Sequence, residues 1–228
     1  QSRSDNVYLP KLEWIQSTLR MLGVRRPRVM EVGTPPSDFT RFLEASGLFA
    51  EVLAVDEMEL AMAAASQISP TTNGDASGGR NGAAQAAVLL ESLDRADDPV
   101  ALLRAVASCL ADGGLVFITA FVSSGFDMAV LGLRNLYLFP PDRTNCFSLR
   151  GVEALVSSAG FTLLEVSTPG VLDVEIVQAH LRYDPSLPLS PFERQLLAAD
   201  SEAHAAFQSF LQQRGMSSFA RIVAMKQS

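Results

Sequence analysis

Arg28-Val29-Met30-Glu31-Val32-Gly33-Thr34-Pro35-Pro36-Ser37 is the stretch whose reading decides the fold. An apolar run ends in Glu-x-Gly, a tight turn follows, and Asp38 to Leu43 carries a helical pattern. After a gap of about twenty residues a second short apolar run, Val52-Leu53-Ala54-Val55, ends in Asp56. Strand, glycine turn, helix, strand and acid is the arrangement of a nucleotide-binding βαβ unit. The glycine lets the backbone turn sharply beside a ligand. The helix N-terminus offers free N–H groups, and the acid at the second strand's tip can accept hydrogen bonds from ribose hydroxyls.

Working outward, Pro10 to Leu22 has apolar residues at near-helical spacing, and Gly23 can end it. This helix is expected to lie against the sheet, with Trp14 packing into the core. Arg25-Arg26-Pro27-Arg28 reads as a solvated turn. Glu57 to Ser66 is helical by propensity. Ser69 to Asn81 is rich in Gly, Ser and Asn without apolar periodicity, and is expected to be a loop where a third strand would otherwise stand. Ala86 to Leu90 reads as a strand ending in Glu91. Asp97-Asp98-Pro99 opens a helix, with Pro in the first turn and acids favoured by the helix dipole. Asp112-Gly113-Gly114 turns the chain into a strand from Leu115 to Thr119. Gly125 to Tyr137 suits one helix and a loop. Ser148 can N-cap a helix to Ala159, which Gly160 ends. Phe161 to Ser167 reads as a strand, Pro191 to Arg214 as one long helix, and Ala220 to Met225 as a last strand. Strands alternating with helices imply a mostly parallel sheet covered on both faces.

The bulk properties narrow the function. The chain has 228 residues, 48% hydrophobic and 19% charged, a net charge of −7 and a pI near 4.9. That balance argues against a nucleic-acid partner held by phosphate contacts. No apolar run reaches membrane-spanning length. Gln1-Ser2-Arg3-Ser4-Asp5 is polar and does not resemble a signal peptide. The chain begins without Met, so a processed or excised piece is expected, and a fusion to another domain or a homodimer stays open. Cys109 and Cys146 in apolar surroundings read as free thiols, which fits a cytoplasmic setting, and two cysteines make no metal site.

The ordered set Glu31-x-Gly33, Asp56, Glu91, Asp98-Pro99 and Asp112-Gly113-Gly114 resembles the class I S-adenosylmethionine-dependent methyltransferases. Gly125-Phe126-Asp127, Pro140 to Ser148, Ser167 to Val177 and Ser217 to Ala224 extend the likeness toward bacterial members found with polysaccharide or secondary-metabolite genes. The resemblance implies a Rossmann-like α/β fold: seven strands, mostly parallel with an antiparallel last strand, helices on both faces. Residues 1–27 would be an N-terminal helix and lead-in to a methyltransferase-like domain over 28–228. It implies that Glu31 and Gly33 hold the methionine part of S-adenosylmethionine, that Asp56 takes the ribose hydroxyls, and that Glu91 faces cofactor and acceptor. Asp75 would meet the adenine amine if Gly74-Asp75 is what remains of the third strand's end; a solvated turn residue is its favoured reading. For Asp56 the other reading is the N-cap of the next helix, and for Glu31 a cap on the following backbone.

The chain departs from that family in three places. The family loop commonly reads Glu-x-Gly-x-Gly-x-Gly, whereas Pro35 and Ser37 stand here at the later glycine positions, with Pro36 between them. Proline donates no N–H and fixes φ, where glycine allows positive φ and close approach. Arg95 and Arg143 stand where the family commonly has histidine. Histidine suits proton transfer near neutral pH, and arginine does not. Glu91 and Asp94 remain as candidate bases. Arg95, Arg143 and Asn145 are candidate acceptor-binding residues, the alternative for the arginines being simple pairing with Asp94 and Asp142. The expected function is methyl transfer to a small-molecule or saccharide-like acceptor; the alternative is a degenerate domain that binds or assembles without turnover.

Overall fold

The structure, a computed structural model, describes residues 4–34, 37–65 and 83–227. A π-helical turn, Ser4–Tyr8, leads into α1 (Leu9–Met21). Then come β1 (Arg28–Gly33), α2 (Asp38–Ala45), β2 (Glu51–Asp56) and α3 (Glu57–Ala65). After the undescribed stretch follow β3 (Ala84–Leu90), a single turn α4 (Ser92–Arg95), α5 (Pro99–Cys109) and β4 (Leu110–Phe121). The last part contains α6 (Phe126–Leu131), α7 (Leu149–Ser158), β5 (Phe161–Ser167), α8 (Asp173–Tyr183), α9 (Pro191–Leu197), α10 (Ser201–Gln213) and β6 (Phe219–Lys226).

The sheet runs β2-β1-β3-β4-β6-β5. β1 pairs in parallel with β2 and β3, and β3 with β4. β6 lies antiparallel between β4 and β5. The expected mostly parallel sheet with an antiparallel last strand is therefore present. The strand count is corrected: the described residues form six strands, not seven. The stretch Ser69 to Asn81, expected to be a loop where a third strand would stand, lies outside the described residues, among which β2 is an edge of the sheet.

Alternation along the strands divides the core. On one face Val29, Ala86, Val88, Leu115, Phe117 and Val223 meet α1 and α2 through Ile15, Leu19, Phe39 and Leu43. On the other, Met30, Val32, Leu89, Ile118 and Ile222 meet α3, α5 and α7 through Leu60, Leu103, Val106 and Val156. Burial on both faces is why the central strands read as nearly continuous apolar runs. Trp14 packs edge-on against Phe117, ring centroids 5.4 Å apart, in the packing role expected of it. A third apolar cluster joins α6, α8 and α9 through Leu131, Val174, Val177 and Leu197.

Local chemistry sets the helix ends. Ser37 accepts from the Phe39 and Thr40 N–H groups, Asp98 from Ala101, and Ser148 from Gly151. The single helix expected from Pro191 to Arg214 is two. Ser190 and Glu193 form a capping box on α9, and the Asp200 side chain accepts from Ala203 N–H to start α10. A capping acid in the middle of an apolar period outweighs the period, because it supplies partners for N–H groups that a fresh N-terminus exposes.

β1 leads to β2 on one side and the chain returns to β3 on the other. That reversal is a topological switch point, and ligands in such sheets bind outside the carboxyl ends of the strands there.

Candidate functional site

Glu31 lies one residue before the last buried position of β1, on the α2 face, and is itself buried. Its Oε2 accepts from the Thr40 hydroxyl at 2.7 Å. Burial pushes its carboxyl up, against the lowering by the Thr40 and Ser37 hydroxyls. The side chain curls under the turn: a Cβ on Gly33 would meet Glu31 Oε1 at 3.3 Å. Glycine at 33 therefore leaves room for the carboxylate beside the backbone.

Asp56 stands opposite Gly33 in the β1–β2 ladder, at the tip of β2. Its Oδ1 accepts from the Met58 and Glu59 N–H groups at 2.9 and 3.0 Å, so it caps α3. Its Oδ2 accepts nothing from the described residues. Capping thus uses one oxygen and leaves the other without a partner among the described residues. Glu57 beside it has its carboxyl raised by burial, with the Arg95 guanidinium opposing. Sequence reading passed over Glu57; the available signal was an acid in the first helical turn directly after the ribose-type acid.

On the β3 side the chain turns sharply. Glu91 takes a left-handed conformation, φ 61°, and its N–H donates to the Thr119 carbonyl at 2.9 Å. Ser92 donates to the Val32 carbonyl at 3.0 Å, tying α4 to β1. Arg143 reaches back from the loop before α7. Its Nη2 pairs with Glu91 Oε2, and its Nη1 lies 2.7 Å from Asp94 Oδ2. The guanidinium also lies 5.8 Å from the Tyr137 ring centroid, and Tyr137 stacks on Phe121. Asp94 is wholly buried and accepts the Phe121 N–H as well, while its Oδ1 finds no partner among the described residues. Burial pushes the Asp94 carboxyl up to about 7, although Phe121 and Arg143 favour its ionised form. Arg95 pairs with Asp142 at 3.1 Å and more distantly with Glu91. Asn145 donates to the Ala96 and Leu93 carbonyls.

The structure therefore gathers Glu31, Gly33, Asp56, Glu91, Asp94, Arg95, Arg143 and Asn145 at one end of the sheet. It also engages Arg95, Arg143 and Asn145 in contacts within the protein. The pairing partners are exchanged relative to the sequence order: Arg143 meets Asp94, and Arg95 meets Asp142. Asp75, Pro35 and Pro36 lie outside the described residues. His180 and His204, on α8 and α10, make no contact with these acids; His204 Nε2 lies 2.9 Å from the Leu196 carbonyl.

The chain matches a sequence family described as a methyltransferase domain over residues 8–166, more than half its length. A search among curated proteins finds no match. Its fold is similar to that of an S-adenosylmethionine-dependent methyltransferase from Clostridium acetobutylicum ATCC 824. That TM-score is 0.55 at 10% identity, over 99% of this chain and 94% of that one. It is also similar to an S-adenosylmethionine-dependent methyltransferase from Mesorhizobium loti, with TM-score 0.51 at 17% identity, over 92% and 96% of the two chains. At such identities the structures speak for the fold, and the family rests on the sequence match. The chain belongs to the family described as a methyltransferase domain.

Proposed function

We propose that this chain binds S-adenosylmethionine across the tips of β1, β2 and β3 and transfers its methyl group to a small-molecule or saccharide-like acceptor. The observation that carries the reading is the division of labour at Asp56, at the tip of β2 opposite Gly33: one oxygen caps α3 while the other has no partner among the described residues. The residues present suit the cofactor. Glu31 is held by Thr40 under a glycine turn, so its charge faces the place where an ammonium group would lie. Asp56 Oδ2 offers a charge-assisted acceptor to ribose hydroxyls. When bound, the cofactor supplies a methyl group on a sulfonium, which leaves with its electron pair returning to sulfur.

The chain's own groups select the acceptor chemistry. Glu91 and Asp94 both face Arg143, and no histidine joins them. Asp94 is wholly buried and the Glu91 carboxylate is engaged by Arg143, so neither is free to take a proton from an acceptor. The arrangement suits a nucleophile that arrives unprotonated, such as a neutral amine or a carboxylate. Alignment then contributes most of the rate.

The same Arg143 contacts favour a second reading, a degenerate domain that binds without turnover, because they occupy both acids. Calorimetry with S-adenosylmethionine and S-adenosylhomocysteine separates the two. Serine caps helices about as well as aspartate, so Asp56→Ser should leave the free protein's melting temperature nearly unchanged. It should weaken cofactor affinity by about tenfold or more, as the second oxygen is lost. No heat from either compound at millimolar concentration would sink the enzyme reading.

A further inference from the structure

Three polar side-chain atoms buried between α1 and the sheet lack hydrogen-bond partners among the described residues, and they belong to neighbouring residues. Thr119 and Arg221 face each other across the β4–β6 ladder, and Leu90 and Ser167 extend the same row. By strand alternation Thr119 and Arg221 share the face of Phe117 and Val223, the face that α1 covers. The Arg221 guanidinium lies 5.3 Å from the Trp14 ring. Trp14 Nε1, Thr119 Oγ1 and Arg221 Nε are all buried, and none has a hydrogen-bond partner among the described residues. Trp14 is 7% exposed and Thr119 is 0%. Phe117 lies below this polar layer, and Phe121 and Phe219 pair above it at the strand tips.

Leaving three buried polar atoms unpaired is costly, because each loses its hydrogen bonds to water and gains none in return. Arg221 makes no ion pair among the described residues, and burial lowers its readiness to stay charged, with Glu165 opposing. A cation so held is stabilised by an anion brought to it. The side edge of a guanidinium offers parallel N–H groups that match a carboxylate. The indole N–H and the hydroxyl add two further donors. Arg221 is the guanidinium of this layer, with Lys11 Nζ nearby over the Phe219 ring, 5.8 Å from its centroid, and its planar fork of N–H groups matches a carboxylate in shape.

We propose that Arg221, Trp14 and Thr119 form a niche for a carboxylate of the acceptor molecule. The assignment to the acceptor rests on the methyltransferase reading. It follows from position: Thr119 accepts the Glu91 N–H, and Arg221 is the next strand over, so the niche lies about 10 Å, two strand spacings, from Glu91. The anchor is thus near the methyl-transfer region without occupying it. Any acceptor with a carboxylate at one end and its nucleophile several atoms away spans the gap.

Trp14 is the only tryptophan, so its fluorescence reads the niche directly. The full chain is titrated with acetate, with acetamide as the neutral control and inorganic phosphate as a third arm. A saturable acetate response, absent with acetamide, is expected. Arg221→Met should weaken it by about tenfold or more and Thr119→Val by several-fold. If Arg221→Met fails to unfold cooperatively, Thr119→Val and the acetamide control decide. Equal, non-saturating responses to acetate and acetamide would mean the atoms bind only water, and the proposal falls. An unchanged titration in a folded Arg221→Met overturns it too, and saturation by phosphate alone overturns the carboxylate class. S-adenosylhomocysteine calorimetry on the same protein separates the two ideas. Cofactor binding without acetate binding sinks the niche alone, and acetate binding without cofactor binding sinks the methyltransferase reading alone.

Discussion

Asp94 has no solvent exposure, and burial outweighs the Phe121 N–H and the Arg143 guanidinium that favour its charge. Its carboxyl moves from 3.8 to about 7, so the folded state prefers the proton. The sign follows: this group's stabilisation is fully present below about 3.8 and is lost as pH rises to about 7. The change is on the order of a few kcal/mol. Glu31 and Asp127 are raised by burial as well and act in the same direction. Urea unfolding across this window should show stability falling with pH, and Asp94→Asn should flatten the slope. An equal slope in both proteins would mean that Asp94 titrates normally. Gly125 is a second single-residue constraint. A Cβ there would run into the Ser218 backbone. Backbone cannot swing aside as a side chain can, so Gly125→Ala should cost about 1–3 kcal/mol by denaturant titration. A loss under half of that would show that α6 shifts freely.

Between elements, Asp173 joins three pieces of chain that sequence leaves apart. Its Oδ2 accepts from Gln208 of α10 and from the Ser217 hydroxyl, and its Oδ1 from the Ser218 N–H leading into β6. Gln208 in turn accepts the Val174 N–H and donates to the Gly170 carbonyl. Asp173→Ala strands several buried donors at once, so thermal unfolding should reveal a loss of about 3 kcal/mol or more. Ser190→Ala, which removes only an exposed cap of α9, should cost about 1 kcal/mol. Equal losses in the two variants would mean that the Asp173 network carries no special weight.

For the whole molecule, a ligand that binds only the folded chain stabilises it by mass action. At a hundredfold excess over Kd this is about 2.7 kcal/mol. For a chain of this size that corresponds to a melting shift of roughly 5–10 °C. S-adenosylhomocysteine should produce this shift in the natural protein and much less in Asp56→Ser at the same concentration. Identical shifts would place the ribose contact elsewhere. Among the described residues no helix is long and apolar enough to cross a membrane.

The sequence by itself determined what depends on neighbours a few residues apart. The apolar runs ending at Glu31-x-Gly33, at Asp56 (Val52 to Val55) and at Glu91 (Ala86 to Leu90) became β1, β2 and β3; β1 and β3 are buried on both faces and β2 is the half-exposed edge. Asp98 and Ser148 marked helix starts because a cap acts on N–H groups two or three residues away, whereas the Ser37 cap came to light only in the structure. The N-cap reading of Asp56 was legible and the structure bears it out, through Oδ1 alone. The pairing of Arg143 with Glu91 and Asp94 was not legible in detail, since those partners lie 52 and 49 residues away. With 18 basic and 25 acidic residues, composition allows many pairs. The break between α9 and α10 was hidden because the apolar period runs on through it. Nothing local in Trp14, Thr119 or Arg221 marks them as neighbours. Only the order β3-β4-β6 and the seating of α1 bring them together, because burial and strand register are properties of the packed chain.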